Sequence, residues 1–176
     1  MSLPDKIVAI HQSLVESSVP HAFGGALALA WCTEQARGTV DIDVNLFVAP
    51  AQASDALAAL PEGTQWSGRD VELIERDGQA RLWWAETPVD VFFNTTNFHE
   101  RAAERVRWEP FAGRELPFLS CRDLAVLKAF FNRTRDWADL EDMAAAGTLD
   151  IEPVLGTLVA YLGGDDKRVE RLRSLG

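Results

Sequence analysis

Three aspartates and a pair of glycines are the residues of this chain whose types and spacing could do chemistry. Asp41 and Asp43 stand two apart in Thr39-Val40-Asp41-Ile42-Asp43-Val44, and Asp90 stands in Pro88-Val89-Asp90-Val91-Phe92-Phe93. On an extended chain, residues i and i+2 share a face, with Cα atoms roughly 6.5–7 Å apart. Two carboxylates so placed can ligate one Mg²⁺, or help hold two ions about 3.5–4 Å apart. If the two strands are neighbours, Asp90 completes a group of three. Such a group repels itself without cations, which makes it costly as scaffold and sensible as a metal site. Gly24-Gly25 comes just before a helical pattern. Glycines at a helix start let a phosphate approach backbone N–H groups and the positive end of the helix dipole. Taken singly, Asp-x-Asp is more often the solvated face of a strand, and Gly-Gly more often a turn. Their occurrence together, in this order, gives them weight.

The elements that must position these residues follow from hydrophobic period. Thr39 to Val48 alternates, with Ile42, Val44, Leu46 and Val48 on one face and Asp41, Asp43, Asn45 and Phe47 on the other. Asp5 to Ser18 has a helical stripe of Ile7, Ile10, Leu14 and Val15, stopped by Pro20. His21 to Phe23 reads as a short strand leading to the glycines, and Ala26 to Glu34 as an Ala- and Leu-rich helix. Ala51 to Leu60 is a further helix between Pro50 and Pro61. Three strand-like runs follow, Asp70 to Glu75, Gln79 to Glu86 and Val89 to Phe93. Asp77-Gly78 is a hairpin signal between the first two. Asn97 to Val106 reads as a helix, and Phe111 to Phe118, with Gly113 at its bend, as an extended segment or hairpin.

The character changes at Ser120. Ser120-x-x-Asp123 opens a helix in the manner of a capping box. Apolar residues are dense to Phe131, Asn132-Arg133-Thr134 interrupts, and helices follow at about 135–146, 152–162 and 165–172. The expected organisation is an α/β (α+β) core over residues 1–119, with a small mixed sheet flanked by helices, and a C-terminal helical subdomain over 120–176.

Composition limits the function. Apolar residues make up 47% of the 176, enough for a buried core, so disorder is excluded. The net charge of −10 disfavours nucleic acid or an anionic membrane as a partner of the molecule as a whole. No apolar run nears the roughly 20 residues that span a bilayer. Cys32 and Cys121 suggest neither a zinc site nor a disulfide framework, and His11, His21 and His99 form no ligand motif. With no signal-peptide core at Met1-Ser2-Leu3-Pro4, the expectation is a cytoplasmic protein with reduced thiols.

Phe23-Gly24-Gly25, then Thr39-x-Asp41-Ile42-Asp43-Val44, then Asp90, resembles the signature of the nucleotidyltransferase (DNA polymerase β-like) superfamily. Arg37-x-Thr39-x-Asp41-Ile42-Asp43 resembles more narrowly its AbiEii/MenT-type or minor nucleotidyltransferase branch. So do Asp123-Leu124-Ala125-Val126-Leu127-Lys128 and Arg135-Asp136-Trp137-Ala138-Asp139. The match spans most of Phe23 to Met143. The resemblance implies an enzyme that uses Mg²⁺, as two ions, to move a nucleoside monophosphate from a nucleoside triphosphate to an acceptor hydroxyl or phosphate. Asp41, Asp43 and Asp90 would be the catalytic and metal-binding residues, and Gly24, Gly25, Arg37, Thr39 and Lys128 would bind nucleotide. The acceptor could be a small molecule, an RNA end or a protein, with toxin-like or antibiotic-modifying action, and a cognate antitoxin as partner in the former case. No DNA is expected. The alternative is a non-catalytic nucleotide-sensing or protein-interaction module on the same fold.

The supporting residues also have plainer readings. By spacing, Lys128 either snorkels from its apolar helix or binds phosphate; the resemblance implies the phosphate. Asp136 and Asp139 are either helix-start acids or supports for Lys128 or Arg37. Trp83 and Trp84 must face opposite sides of their strand, one of them towards the core. Arg101, Arg105, Arg107 and Arg114 form a candidate basic patch whose default is a solvated face.

Overall fold

The computed structural model describes Met1–Gly176. Its helices are α1 Leu3–Glu16, α2 Gly25–Thr33, α3 Ala53–Ala58, α4 Gly68–Asp77, α5 Asn97–Glu104, α6 Cys121–Phe131, α7 Thr134–Ala145, α8 Ile151–Leu162 and α9 Lys167–Arg173. A 3₁₀ turn, Pro50–Gln52, precedes α3. The strands are β1 His21–Phe23, β2 Ile42–Leu46, β3 Thr64–Gln65, β4 Gln79–Trp84, β5 Thr87–Phe93, β6 Arg107–Phe111 and β7 Arg114–Phe118. The chain divides into two compact units, one of Met1–Leu27 with Gly38–Leu119, the other of Ala28–Arg37 with Ser120–Gly176.

The first unit holds one mixed sheet of seven strands in the order β3-β4-β5-β2-β1-β7-β6. β2 and β5 run parallel, and β1 and β7 run parallel; the other pairs are antiparallel. Ile42, Val44 and Leu46 of β2 and Val89, Val91 and Phe93 of β5 are all buried. Ala80, Leu82 and Trp84 alternate inward on β4, while Gln79, Arg81 and Trp83 stay exposed. The alternation therefore assigns one face of the central strands to the core and frees the other for polar residues. Lys6 is buried against this core, its Nζ donating to the Trp84 carbonyl at 2.9 Å and to Thr87 Oγ1 at 2.8 Å.

Asp70 to Glu75 is not a strand. It lies inside α4, and Asp77-Gly78 is that helix's end rather than a hairpin turn. Val71 and Leu73 with the acids beside them give a local two-residue alternation, but the segment is an amphipathic helix that buries Ile74 and half-buries Val71 and Leu73. The Asp70 carboxylate accepts from the Ser67 backbone N–H at 2.8 Å, which fixes the helix start. Gly78 closes it in the left-handed region at φ 74°, where a Cβ would meet Thr95 Cγ2 at 2.2 Å. The hairpins are β4–β5, turning at Ala85-Glu86, and β6–β7, turning at Ala112-Gly113. Both Ala112 and Gly113 have positive φ, as the tight two-residue turn demands.

The second unit is helical. Ser120 caps α6, its Oγ accepting from the Asp123 N–H at 3.1 Å, and Asn132 ends α6 in the left-handed region. Trp137, Leu140, Met143, Val154, Leu158, Val169 and Leu172 supply its core. Cys32 and Cys121 are joined in a disulfide between the end of α2 and the start of α6. This corrects the expectation of two unpaired thiols. The pairing spans 89 residues of sequence, a contact that no local spacing rule reaches.

Candidate active site

The site is a row of side chains across three neighbouring strands of the first unit. The parallel register sets Asp43 of β2 beside Asp90 of β5, and the antiparallel register sets Arg81 of β4 beside Asp90. Paired residues project on the same side of a sheet. Asp41 joins the row from just before β2, with its Oδ2 3.6 Å from an Arg81 Nη2. The expected neighbourhood of Asp41, Asp43 and Asp90 on the polar face is therefore present.

Each carboxylate has a distinct setting. Asp41 Oδ1 accepts from the Thr39 hydroxyl at 2.6 Å, so Thr39 orients this aspartate. Asp90 is gripped by the Arg81 fork, Nε donating at 2.7 Å and Nη2 at 2.6 Å. That bidentate bond, with the charges of Asp90, Asp41 and Asp43, holds the Arg81 guanidinium more firmly protonated than usual. Asp43 lies against the start of α2. The Gly24 N–H donates to the Asp43 carbonyl at 3.0 Å. Gly25 sits at φ 51°, and a Cβ there would fall 1.9 Å from Asp43 Oδ2. Gly25 thus makes the space in which the Asp43 carboxylate stands. A Cβ on Gly24 would press on Asn45 Nδ2 at 3.0 Å and Leu119 Cδ1 at 3.2 Å, the far ends of side chains.

The donor set suits a hard divalent cation, being carboxylate oxygen throughout. No three of the His, Cys, Asp or Glu side chains close into a ready metal cage in this arrangement. Arg81, rather than a fourth oxygen, stands among the aspartates. The sequence reading did not single out Arg81. The signal was there, because a turn at Ala85-Glu86 pairs Trp84 with Thr87 and so, counting back, Arg81 with Asp90.

Arg37, Lys128, Asp136 and Asp139 belong to the second unit. Lys128 does not snorkel: its side chain is 7% exposed, and Nζ donates to Asp139 Oδ2 at 2.5 Å. Arg37 makes a fork to the same carboxylate, with Nη2 3.0 Å from Oδ2 and Nη1 bonded to Oδ1. Burial alone would raise the Asp139 pKa, but the bonds and charges of Arg37 and Lys128 hold it below the usual carboxylate value. Asp136, also buried, accepts from Arg133 Nε at 2.7 Å and lies 3.8 Å from Lys128 Nζ. Asp139 is thus a support for Arg37 and Lys128, while Asp136 is a helix-start acid of α7, its carboxylate also accepting from the Arg133 backbone N–H at 3.1 Å. Of the tryptophan pair, Trp84 is buried and Trp83 is 46% exposed, on the same face as Arg81. In the candidate basic patch, Arg107 is paired with Glu109.

No family model and no curated protein matches the sequence. Solved structures do share its architecture. The antibiotic-resistance factor ANT(2″)-Ia in complex with adenylyl-2″-tobramycin is similar with a TM-score of 0.55 and 13% identity, covering 99% of this chain and 96% of that one. The solution structure of ANT(2″)-Ia gives 0.51 and 15%, over 97% and 89%. An antigenic nucleotidyltransferase-like protein from Paracoccidioides brasiliensis gives 0.50 and 12%, over 94% and 92%. At such identities the likeness speaks for architecture alone. With its seven-stranded mixed sheet, its carboxylate row and its helix-start glycines, the chain has a nucleotidyltransferase-like fold.

Proposed function

We propose that the protein is a Mg²⁺-dependent nucleotidyltransferase that moves a nucleoside monophosphate from a nucleoside triphosphate to an acceptor hydroxyl. The observation that carries this reading is the register Asp43↔Asp90, with Gly25 making room for Asp43. Asp41, Asp43 and Asp90 would hold Mg²⁺, as two ions, which when bound neutralises triphosphate charge and polarises the α-phosphorus. Thr39 fixes Asp41, and Gly24-Gly25 keep Asp43 against the helix start, where backbone N–H groups favour phosphate. In the transfer, a bond forms between the acceptor oxygen and the α-phosphorus as the bond to pyrophosphate breaks. Asp90 lies at the far side of the pair from Asp43's helix and is the group we assign to take the acceptor's proton. Arg37 and Lys128 are proposed to contribute positive charge to nucleotide binding, with Asp139 setting their orientation.

We place a small cationic acceptor first, ahead of an RNA end, a protein side chain or toxin-type action with an antitoxin partner. The net charge of −10 favours it, and ANT(2″)-Ia, whose structure holds an adenylylated tobramycin, shares the fold. Action in the cytoplasm is proposed because triphosphates are made there, against the Cys32–Cys121 disulfide, a bond more usual in oxidising compartments. No helix is long and apolar enough to cross a membrane. The competing reading, a module that binds nucleotide without turnover, draws on one observation, the hold of Arg81 on Asp90. Incubation with each α-labelled triphosphate, Mg²⁺ and a panel of polyamine sugars separates them. Label on an acceptor, lost in Asp43→Ala, supports transfer; nucleotide binding with no labelled product in the panel or in cell extract supports the module; neither binding nor label refutes both.

A further inference from the structure

Arg81 occupies the ground that a cation would need. Its fork takes both oxygens of Asp90, at 2.7 and 2.6 Å, and its Nη2 reaches to 3.6 Å from Asp41. One guanidinium thus spans two of the three carboxylates. This is not a buried structural pair: the Arg81 side chain is 52% exposed and that of Asp90 18%. An exposed arginine can swing away without leaving a cavity, since its strand neighbours Ala80 and Leu82 carry the packing. A guanidinium also exchanges readily between carboxylate and phosphate, because both present two oxygens to its fork.

Resting on the transferase reading above, we infer that Arg81 is a built-in counterion that guards the metal site, occupying Asp90 until a nucleoside triphosphate offers the guanidinium another anion. Free divalent cations then bind weakly to the resting enzyme, and metal and nucleotide bind in a coupled manner. The carboxylates are kept from repelling each other while no cation is present, and the proton-accepting position of Asp90 is uncovered only when there is a substrate to act on.

The test is Mn²⁺ binding followed by electron paramagnetic resonance, with and without a non-hydrolysable triphosphate analogue, on wild type, Arg81→Gln, Arg81→Lys and Arg76→Gln. Arg76 is an exposed α4 arginine paired with Asp77 and serves as the charge control. The expected result is free-Mn²⁺ affinity at least tenfold tighter in Arg81→Gln, an intermediate gain in Arg81→Lys, and a change under twofold in Arg76→Gln. The analogue should tighten Mn²⁺ binding at least tenfold more in wild type than in Arg81→Gln. Unchanged or weaker Mn²⁺ binding in Arg81→Gln overturns the inference, as does an equal gain in Arg76→Gln, which would reduce the effect to net charge. Should Arg81→Gln not fold, the gain in Arg81→Lys, which keeps the charge and loses the fork, decides alone. Wild type that binds the Mn²⁺–analogue complex while Arg81 has no effect refutes the guard and leaves the transferase reading standing. Wild type that binds neither refutes the transferase reading itself.

Discussion

Adding one methyl group at Gly25 should disable the site while leaving the fold in place. The ideal Cβ at this position lies 1.9 Å from Asp43 Oδ2 and 2.5 Å from Asp43 Cγ, where ordinary contact begins at 3.4 Å. Gly25→Ala must therefore drive the carboxylate back by about 1.5 Å to restore van der Waals separation. The carboxylate cannot simply tip, because the Cβ would also lie 3.0 Å from Asp43 Cβ, close to the backbone of β2. A second cost is conformational: at φ 51° an alanine is disfavoured by roughly 1–2 kcal/mol. In a chain of this size that lowers Tm by only about 2–8 °C. A catalytic group misplaced by about 1 Å costs on the order of 100-fold in rate. Label transfer from triphosphate should thus fall about 100-fold, with Mn²⁺ binding weakened and the circular dichroism spectrum intact. Gly24→Ala, whose Cβ presses on the ends of Asn45 and Leu119 and meets Asp43 Cβ only at an ordinary 3.9 Å, should lose far less. A Gly25→Ala protein with undiminished transfer and wild-type metal affinity would refute the claim that this glycine exists to seat Asp43.

Three other outcomes follow from the structure. Asp139→Ala leaves the Lys128 ammonium, only 7% exposed, and the Arg37 fork without their shared partner; urea unfolding should show a loss of about 3–5 kcal/mol. His21 is 7% exposed, with Nδ1 2.9 Å from the Val19 carbonyl and Nε2 2.9 Å from His11 Nδ1, and desolvation pushes its pKa down to about 4. The unfolded chain binds its proton near pH 6.5, so stability is complete above that value and drains as pH falls towards 4, by about 3 kcal/mol in all. His21→Gln should flatten the curve of Tm against pH between 4 and 6.5, and an unchanged curve would show that another group carries it. Reducing the Cys32–Cys121 bond, or replacing Cys32 with Ser, frees a loop spanning 89 residues and should lower stability by about 4 kcal/mol, checked by urea melts with and without reductant.

Much of the candidate site's face could be read from the chain because strand chemistry repeats every two residues. The phase of Asp41 and Asp43 against Ile42 and Val44, and of Asp90 against Val89 and Val91, is set within a few residues, so tertiary context did not have to choose the face. The helix start at Gly25 and the cap at Ser120 were equally local. α4 was misread because Asp70 to Glu75 alternates over a few residues, and that short alternation outweighed a clear helical amphipathic stripe and the caps at Ser67 and Gly78. The disulfide was missed because 89 residues separate its halves.

By itself, then, the sequence determined which residues could bind metal and phosphate, and on which side of their strands they stand. The fold decided what those residues meet. Only the strand order placed β5 beside β2, so that Asp90 comes level with Asp43, and β4 beside β5, so that Arg81 grips Asp90. Only packing showed that Gly25 makes room for a carboxylate, and that Asp139 is shared by Arg37 and Lys128. Periodicity is a property of neighbours in the chain; partnership is a property of neighbours in space, and contacts across dozens of residues leave no local trace.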